Sequence, residues 1–123
     1  AEDVYIDDIG IGRGVSDRLR ELDIAVNGVS VGERAQDVTK YKNIKAEAYW
    51  NTKIWLDAGG KLANEEGFKQ LTWIKYKVNT DKVLQIEPKD ELKRRTGKSP
   101  DYADALMLTF SPQPPIPSVD WIA

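Results

Sequence analysis

Histidine and cysteine are both absent from the 123 residues. Without cysteine there is no disulfide and no thiolate metal site, which fits an intracellular protein. Without histidine there is no imidazole base, no zinc site of the usual kind, and no Ser-His or Cys-His catalytic pair. Any metal site must then use oxygen ligands, which points to magnesium, manganese or calcium. Long apolar runs are lacking too, so no segment is expected to span a bilayer. The opening AEDVYIDD has neither the charged nor the apolar region of a signal peptide. A large excess of one charge is also missing: 18 Lys and Arg stand against 20 Asp and Glu, a net charge of −2, so any nucleic-acid surface must be a local patch. What is present is an ordinary globular mixture, 41% hydrophobic and 31% charged, long enough for one domain with a modest core.

Strands alternate with helices along the chain, which gives an α/β class with at least one antiparallel hairpin. Val4–Ile6 reads as a short strand ending in Asp7-Asp8. Gly10, Gly12 and Gly14 then predict a tight turn of close backbone approach, followed by a helix over 15–22 with Val15, Leu19 and Leu22 on its core face. A second strand is expected over 24–31, interrupted at Asn27-Gly28. Asn43 is a suitable N-cap for a helix running to Ala58, stopped by Gly59-Gly60, with Trp50 and Trp55 expected in the core. A shorter helix is expected over 64–71. Ile74, Tyr76 and Val78 alternate with Lys75 and Lys77, and 83–86 answers as the return strand of a hairpin. A short basic helix or turn covers 90–95, and Gly97 breaks it. The last helix is expected from a Ser99 cap, through Pro100 at its first position, to about Phe110. The folded domain is thus placed at 1–110, with 111–123 as a proline-rich extended tail.

That last helix carries the chemistry. Asp101 and Asp104 share a face at its rim, and two carboxylates so close repel unless a cation or proton intervenes. Helix dipoles alone favour acids in a first turn, so the pair is ambiguous by itself. Asp7 adds weight, because it ends a strand before a glycine-rich turn, where α/β folds tend to place ligand sites. The GIGRG spacing fits neither a Walker-type loop, having no GK[ST], nor the dinucleotide fingerprint, so no nucleotide-binding residues are expected. Beside the aspartates lies the basic run KDELKRRTGK, partly neutralised by Asp90 and Glu91.

The blocks VYIDDIGIGRGVSDRLREL, YKNIKAEAYW and LQIEPKDELKRRTGKSPDYADALMLTF, in this order, together resemble the C-terminal nuclease domain of the tailed-phage or prophage terminase large subunit. The resemblance spans nearly the whole chain, and the last block is the most specific. It implies an RNase H-like fold and a divalent-metal-dependent endodeoxyribonuclease. Such an enzyme cuts concatemeric viral DNA during genome packaging, in the cytoplasm of the bacterial host. It further implies that Asp7, Asp101 and Asp104 are the catalytic acids and ligands of Mg2+ or Mn2+, with Asp104 ahead of Asp101 as the direct ligand. Asp8 is a weaker candidate, since neighbouring strand residues point apart. Lys89, Lys93, Arg94, Arg95 and Lys98 would hold backbone phosphates, and Lys75 and Lys77 of the hairpin would extend that track. Double-stranded DNA is the implied substrate, and the terminase ATPase module, small terminase subunit and portal are the implied partners.

The sequence departs from the family in lacking a Walker motif and the strand that carries a further acid upstream of Asp7. The expectation is therefore a partial RNase H-like domain without its first strands, bearing a β-hairpin insertion. Its metal site alone would support weak cutting or none. Its exposed Val4–Ile6 edge would pair with another copy or with strands of another chain. Two other readings compete. A junction resolvase, another RNase H-like nuclease, would call for a strongly basic chain. A non-catalytic DNA-binding or docking module would use the aspartates as helix caps.

Overall fold

A computed structural model describes residues 4–8, 11–63 and 65–112. Its elements run β1 (Tyr5–Asp7), α1 (Ile11–Glu21), β2 (Asn27–Val29), α2 (Ile44–Asp57), α3 (Glu65–Phe68) continuing into a 3₁₀ turn (Lys69–Trp73), β3 (Tyr76–Val78), β4 (Leu84–Ile86), α4 (Lys89–Thr96) and α5 (Asp101–Leu108). Strands β1 and β2 pair in parallel, with Ile6 opposite Gly28 and Asp7 opposite Val29. Strands β3 and β4 form the antiparallel hairpin, with Tyr76 opposite Ile86. Gly10 and the proline-rich tail beyond Pro112 lie outside the described residues.

The junction of β1 and α1 differs from the expected turn. Gly12 and Gly14 sit inside α1. The helix backbone meets the strand end so closely that a Cβ on Gly12 would lie 1.6 Å from the Asp7 carbonyl oxygen. Only glycine allows that approach. The contact also rotates the helix: Ser16, one turn beyond Gly12, is fully buried, whereas Val15 and Leu22 are 46% and 53% exposed. Of the expected core face, Val15 and Leu22 therefore lie outside while Leu19 is half-buried, because small residues set the docking side. Strand β2 likewise falls on the Asn27-Gly28 pair that was expected to interrupt it. A Cβ on Gly28 would come 2.5 Å from an Asp8 carboxylate oxygen, so a side chain there would displace the Asp8 carboxylate.

Helix α2 forms as the sequence predicts. The Asn43 side chain accepts from the Ala46 N–H at 3.0 Å, satisfying one of the donors that a helix start leaves open. At the other end the Gly60 N–H returns to the Trp55 carbonyl, across a Gly59 with φ of 101°. The buried residues of α2 are mostly small: Ala46 and Ala48 are fully inaccessible, with Tyr49 beside them. They pack with Leu84, Ile86, Ala103 and Met107 to make the core. Trp50 and Trp55 are half-buried: Trp50 packs against this core as expected and meets Tyr76 edge-on at 5.2 Å, and Trp55 meets Phe110 at 5.3 Å. The hairpin forms where the alternation predicts a strand; all three residues of β3 are exposed, while β4 supplies the buried Leu84 and Ile86. Strand β3 is an edge, and its lysines suit one.

Helix α4 ends at Gly97 in the left-handed conformation, its N–H bonded to the Lys93 carbonyl at 2.7 Å. Helix α5 begins without a side-chain cap from Ser99 or Pro100. Gln70, in the 3₁₀ turn, supplies the acceptor instead, taking the Tyr102 and Ala103 N–H groups at 2.8 and 3.2 Å.

The two helical glycines should respond oppositely to alanine. Gly12→Ala must push α1 off β1 and is expected to destabilise the fold by roughly 1–3 kcal/mol, the usual cost of overpacking. Gly14, with nothing within 4 Å of its added Cβ, should gain about 0.5–1 kcal/mol as alanine. Urea unfolding of the two variants checks this, and a stabilising Gly12→Ala would contradict the described junction.

Candidate functional site

The end of β1 and the first turn of α5 face a common cleft of about 300 Å³. Asp7 comes from the strand, Asp101 and Asp104 from the helix, Lys45 from the first turn of α2 and Lys89 from the start of α4, above a floor that includes Met107 and Leu108. The Gly12 approach fixes Asp7 relative to α1, while burial of Ala103 and Met107 fixes the helix that carries the other two acids. The three aspartates singled out from sequence thus line one cavity.

Their local partners differ. Asp104 is held on both oxygens: the Tyr49 hydroxyl donates to Oδ1, and the Lys89 ammonium lies 3.1 Å from Oδ2. Asp101 is exposed and caps nothing, because Gln70 already takes the α5 donors. Asp8 turns toward Gly28, and its Oδ1 is buried without a hydrogen-bond partner. Tyr49 is 6% exposed. Burial, then the neighbouring Asp104 charge and hydrogen bond, push its hydroxyl far above the usual tyrosine range, so it stays a proton donor. Lys45 is half-buried; loss of hydration draws its ammonium below the ordinary lysine value, Asp104 opposes that shift and the Lys89 charge adds to it.

The basic run divides between two tasks. Arg95 is committed to structure: its guanidinium bonds Glu87 at 2.6 and 3.3 Å and the Trp73 carbonyl at 2.8 Å, tying α4 to the hairpin. Lys93, Arg94 and Lys98 are exposed near the cleft-lining Lys89, and Lys75 and Lys77 are exposed on or beside β3. Lys45 and Tyr49 escaped the sequence reading. Their signal was a lysine one turn ahead of a tyrosine on the packed side of α2. A second hollow, of about 250 Å³ between α2 and the hairpin, is lined by Trp50, Leu71 and Tyr76 and holds none of the cleft acids.

The cleft donors are hard oxygens, the right chemistry for Mg2+ or Mn2+. Among the described residues no three acidic side chains come close enough to make a complete protein cage. That suits magnesium, which is commonly held by one or two carboxylates while water and substrate phosphate complete its shell. Asp7, Asp101 and Asp104 offer oxygens of the kind such an ion takes.

The fold is that of the nuclease domain of phage large terminase subunits, an RNase H-like architecture. The nuclease domain of the large terminase subunit gp2 of bacterial virus Sf6 superposes with a TM-score of 0.70 at 22% identity, over 93% of this chain and 66% of that one. A lysine-to-alanine variant of that domain with manganese gives 0.70 at 21% identity over 92% of this chain and 67% of that one. A form of the same domain with calcium matches as well, at 0.70 and 21%. The chain thus spans about two thirds of the length of these domains. No protein-family model and no curated protein matches the sequence.

The Arg95–Glu87 pair has a definite pH signature. Hydrogen bonding to Arg95 holds the Glu87 carboxyl below its usual range, so the pair's contribution is complete above the unfolded glutamate value, about 4.3, and fades as pH falls through the folded value. Arg95→Ala should lower the urea midpoint by a margin that holds from neutral pH to about pH 5 and narrows toward pH 3. A margin unchanged at pH 3 would show that the Trp73 carbonyl contact alone accounts for it.

Proposed function

We propose that this chain is the catalytic part of a terminase-type nuclease, a divalent-metal-dependent endonuclease that cuts double-stranded viral DNA during packaging. One observation carries the reading: acids from a strand end and from a separate helix share a cleft with two ammonium groups, in the fold of terminase nuclease domains. Asp7 and Asp104 would hold the ion, with Asp101 nearby. Magnesium or manganese bound there supplies the positive charge that phosphodiester hydrolysis needs at neutral pH. Lys45 and Lys89 line the same cavity and can neutralise a phosphate entering it. Lys93, Arg94 and Lys98, with Lys75 and Lys77, would carry the flanking DNA by its backbone, which positions the duplex without reading sequence. Arg95 acts on this surface by fixing α4. The cellular setting proposed is the cytoplasm of a bacterial host, where a packaging ATPase module, a small terminase subunit and a portal would be the partners. A helix-cap role for the aspartates has little support, since Gln70 does that work.

Supercoiled plasmid incubated with the purified chain in Mn2+, in Mg2+ and in EDTA tests the proposal. Metal-dependent nicking is expected. It should vanish in an Asp7→Ala/Asp104→Ala variant. Nicking that survives that double substitution, or none at all from folded protein, would reject catalysis at this cleft. DNA binding offers a second check. Lys93→Ala and Arg94→Ala should each weaken it at every sequence and reduce the salt slope by about one ion.

The pairing of β1 and β2 also supports association. A two-stranded parallel sheet is seldom left bare, and among the described residues no third strand joins it. Light scattering at rising concentration should report masses above that of one chain, and a constant monomer would argue against pairing through this sheet.

A further inference from the structure

We infer that Tyr49 is the positioning residue of the cleft: by holding Oδ1 of Asp104 it leaves Oδ2 as the oxygen that Asp104 offers to a cation. The inference rests on the cation-binding part of the proposed function and deepens it. The hydroxyl has little choice of partner. Its ring is packed in the core with Ala46, Leu84, Ile86, Ala103 and Met107, which offer no side-chain acceptor beyond the weak Met107 thioether. The phenol has one proton to give, and burial makes an unmade bond costly, so the proton goes to Asp104. The bond joins α2 to α5 across 55 residues of sequence, linking the carboxylate to the buried core.

The consequence is a division of labour within one carboxylate. Oδ1 is occupied from the protein side, and Oδ2, facing the cleft, has a cation beside it in the form of the Lys89 ammonium. Asp101 has no comparable restraint: its side chain is exposed, and among the described residues no hydrogen bond or ion pair holds it. A restrained oxygen binds a cation without first losing rotamer freedom, whereas an unrestrained one must be ordered at that moment. This makes Asp104, and not Asp101, the principal helix-borne ligand, and it makes the tyrosine the reason. Partners that orient a metal ligand typically change metal affinity 10–100-fold when removed.

Mn2+ binding, followed by the electron paramagnetic resonance of free Mn2+ and independent of any cutting, is the test. Tyr49→Phe removes only the oxygen. It should weaken Mn2+ binding by about tenfold or more. Tyr102→Phe, an exposed tyrosine on the same helix as Asp104, should leave binding within about twofold of the parent. In an Asp104→Asn background, Tyr49→Phe should cause no further loss, a result that general loosening of the core would not produce. Asp104→Glu keeps the charge but moves it by one methylene, and should weaken binding like Tyr49→Phe. It decides the matter alone should the phenylalanine variant not fold. Wild-type Mn2+ affinity in Tyr49→Phe or in Asp104→Glu overturns the inference. Mn2+ binding that follows this pattern without plasmid nicking would uphold it while removing the nuclease reading. Nicking with unaltered affinity in Tyr49→Phe would do the reverse.

Discussion

Helix α5 packs against α2 in a core rich in small side chains: Ala46, Ala48 and Ala103 are all fully inaccessible. Two helices approach closely only when the side chains between them are small, and here closeness puts a hydroxyl of one helix against a carboxylate of the other. That approach has a cost at the start of α5, whose free N–H groups would be stranded near the core. Gln70 removes the problem from outside the helix, using one oxygen for two donors. Core packing, helix start and cleft geometry are therefore one constraint. Any change that separates α2 from α5 loosens the carboxylate, the core and the cap together.

Electrostatics in the cleft follow from the same closeness. Three carboxylates line one cavity, and two ammonium groups line it with them. Lys45 is partly stripped of water and so disfavours its own charge; the Asp104 carboxylate restores part of it. Asp104 stands at the centre of this exchange, touching a neutral donor on the core side and a cation on the open side. The arrangement is preset to receive positive charge at one oxygen. A hard divalent ion and a lysine meet that demand by the same Coulombic attraction, and they differ in charge and in the number of further oxygens they recruit.

How much of this was legible in the sequence depends on which force decides each element. Helix α2 and the hairpin were readable because capping, glycine stops and turn residues act locally, as with Asn43, Gly59 and the 79–82 turn. Asp7, Asp101 and Asp104 could be picked out by residue type and position, and the fold brings them to one cleft. What could not be read depends on tertiary partners. Hydrophobicity placed Val15 and Leu22 inside, but Gly12 and Ser16 dock the helix and leave those side chains outside. Alternation marked β3 as a strand but could not tell that all three of its residues would be exposed. Nothing near Ser99 announces that Gln70 would cap its helix, because the pair is far apart in sequence. Tyr49 is hidden for the same reason, since a buried tyrosine reads as core until its hydroxyl is seen to face an acid.

The basic run shows how one short segment can serve both fold and surface. Leu92 and Arg95 are three residues apart and share a side of α4. Leu92 is buried, and Arg95 reaches back to Glu87 and Trp73. That side anchors the helix. Lys93 and Arg94 are turned to solvent by the same geometry, and Lys89, one turn earlier, looks into the cleft. A net charge of −2 is then no obstacle to holding a polyanion, because cations are segregated by helix periodicity and not by composition. Backbone phosphates repeat at regular intervals, so a rigidly anchored helix presents its charges at a fixed spacing, whereas a mobile one would average them away. Arg95, committed to Glu87 and the Trp73 carbonyl, is the cation that fixes the helix carrying the others.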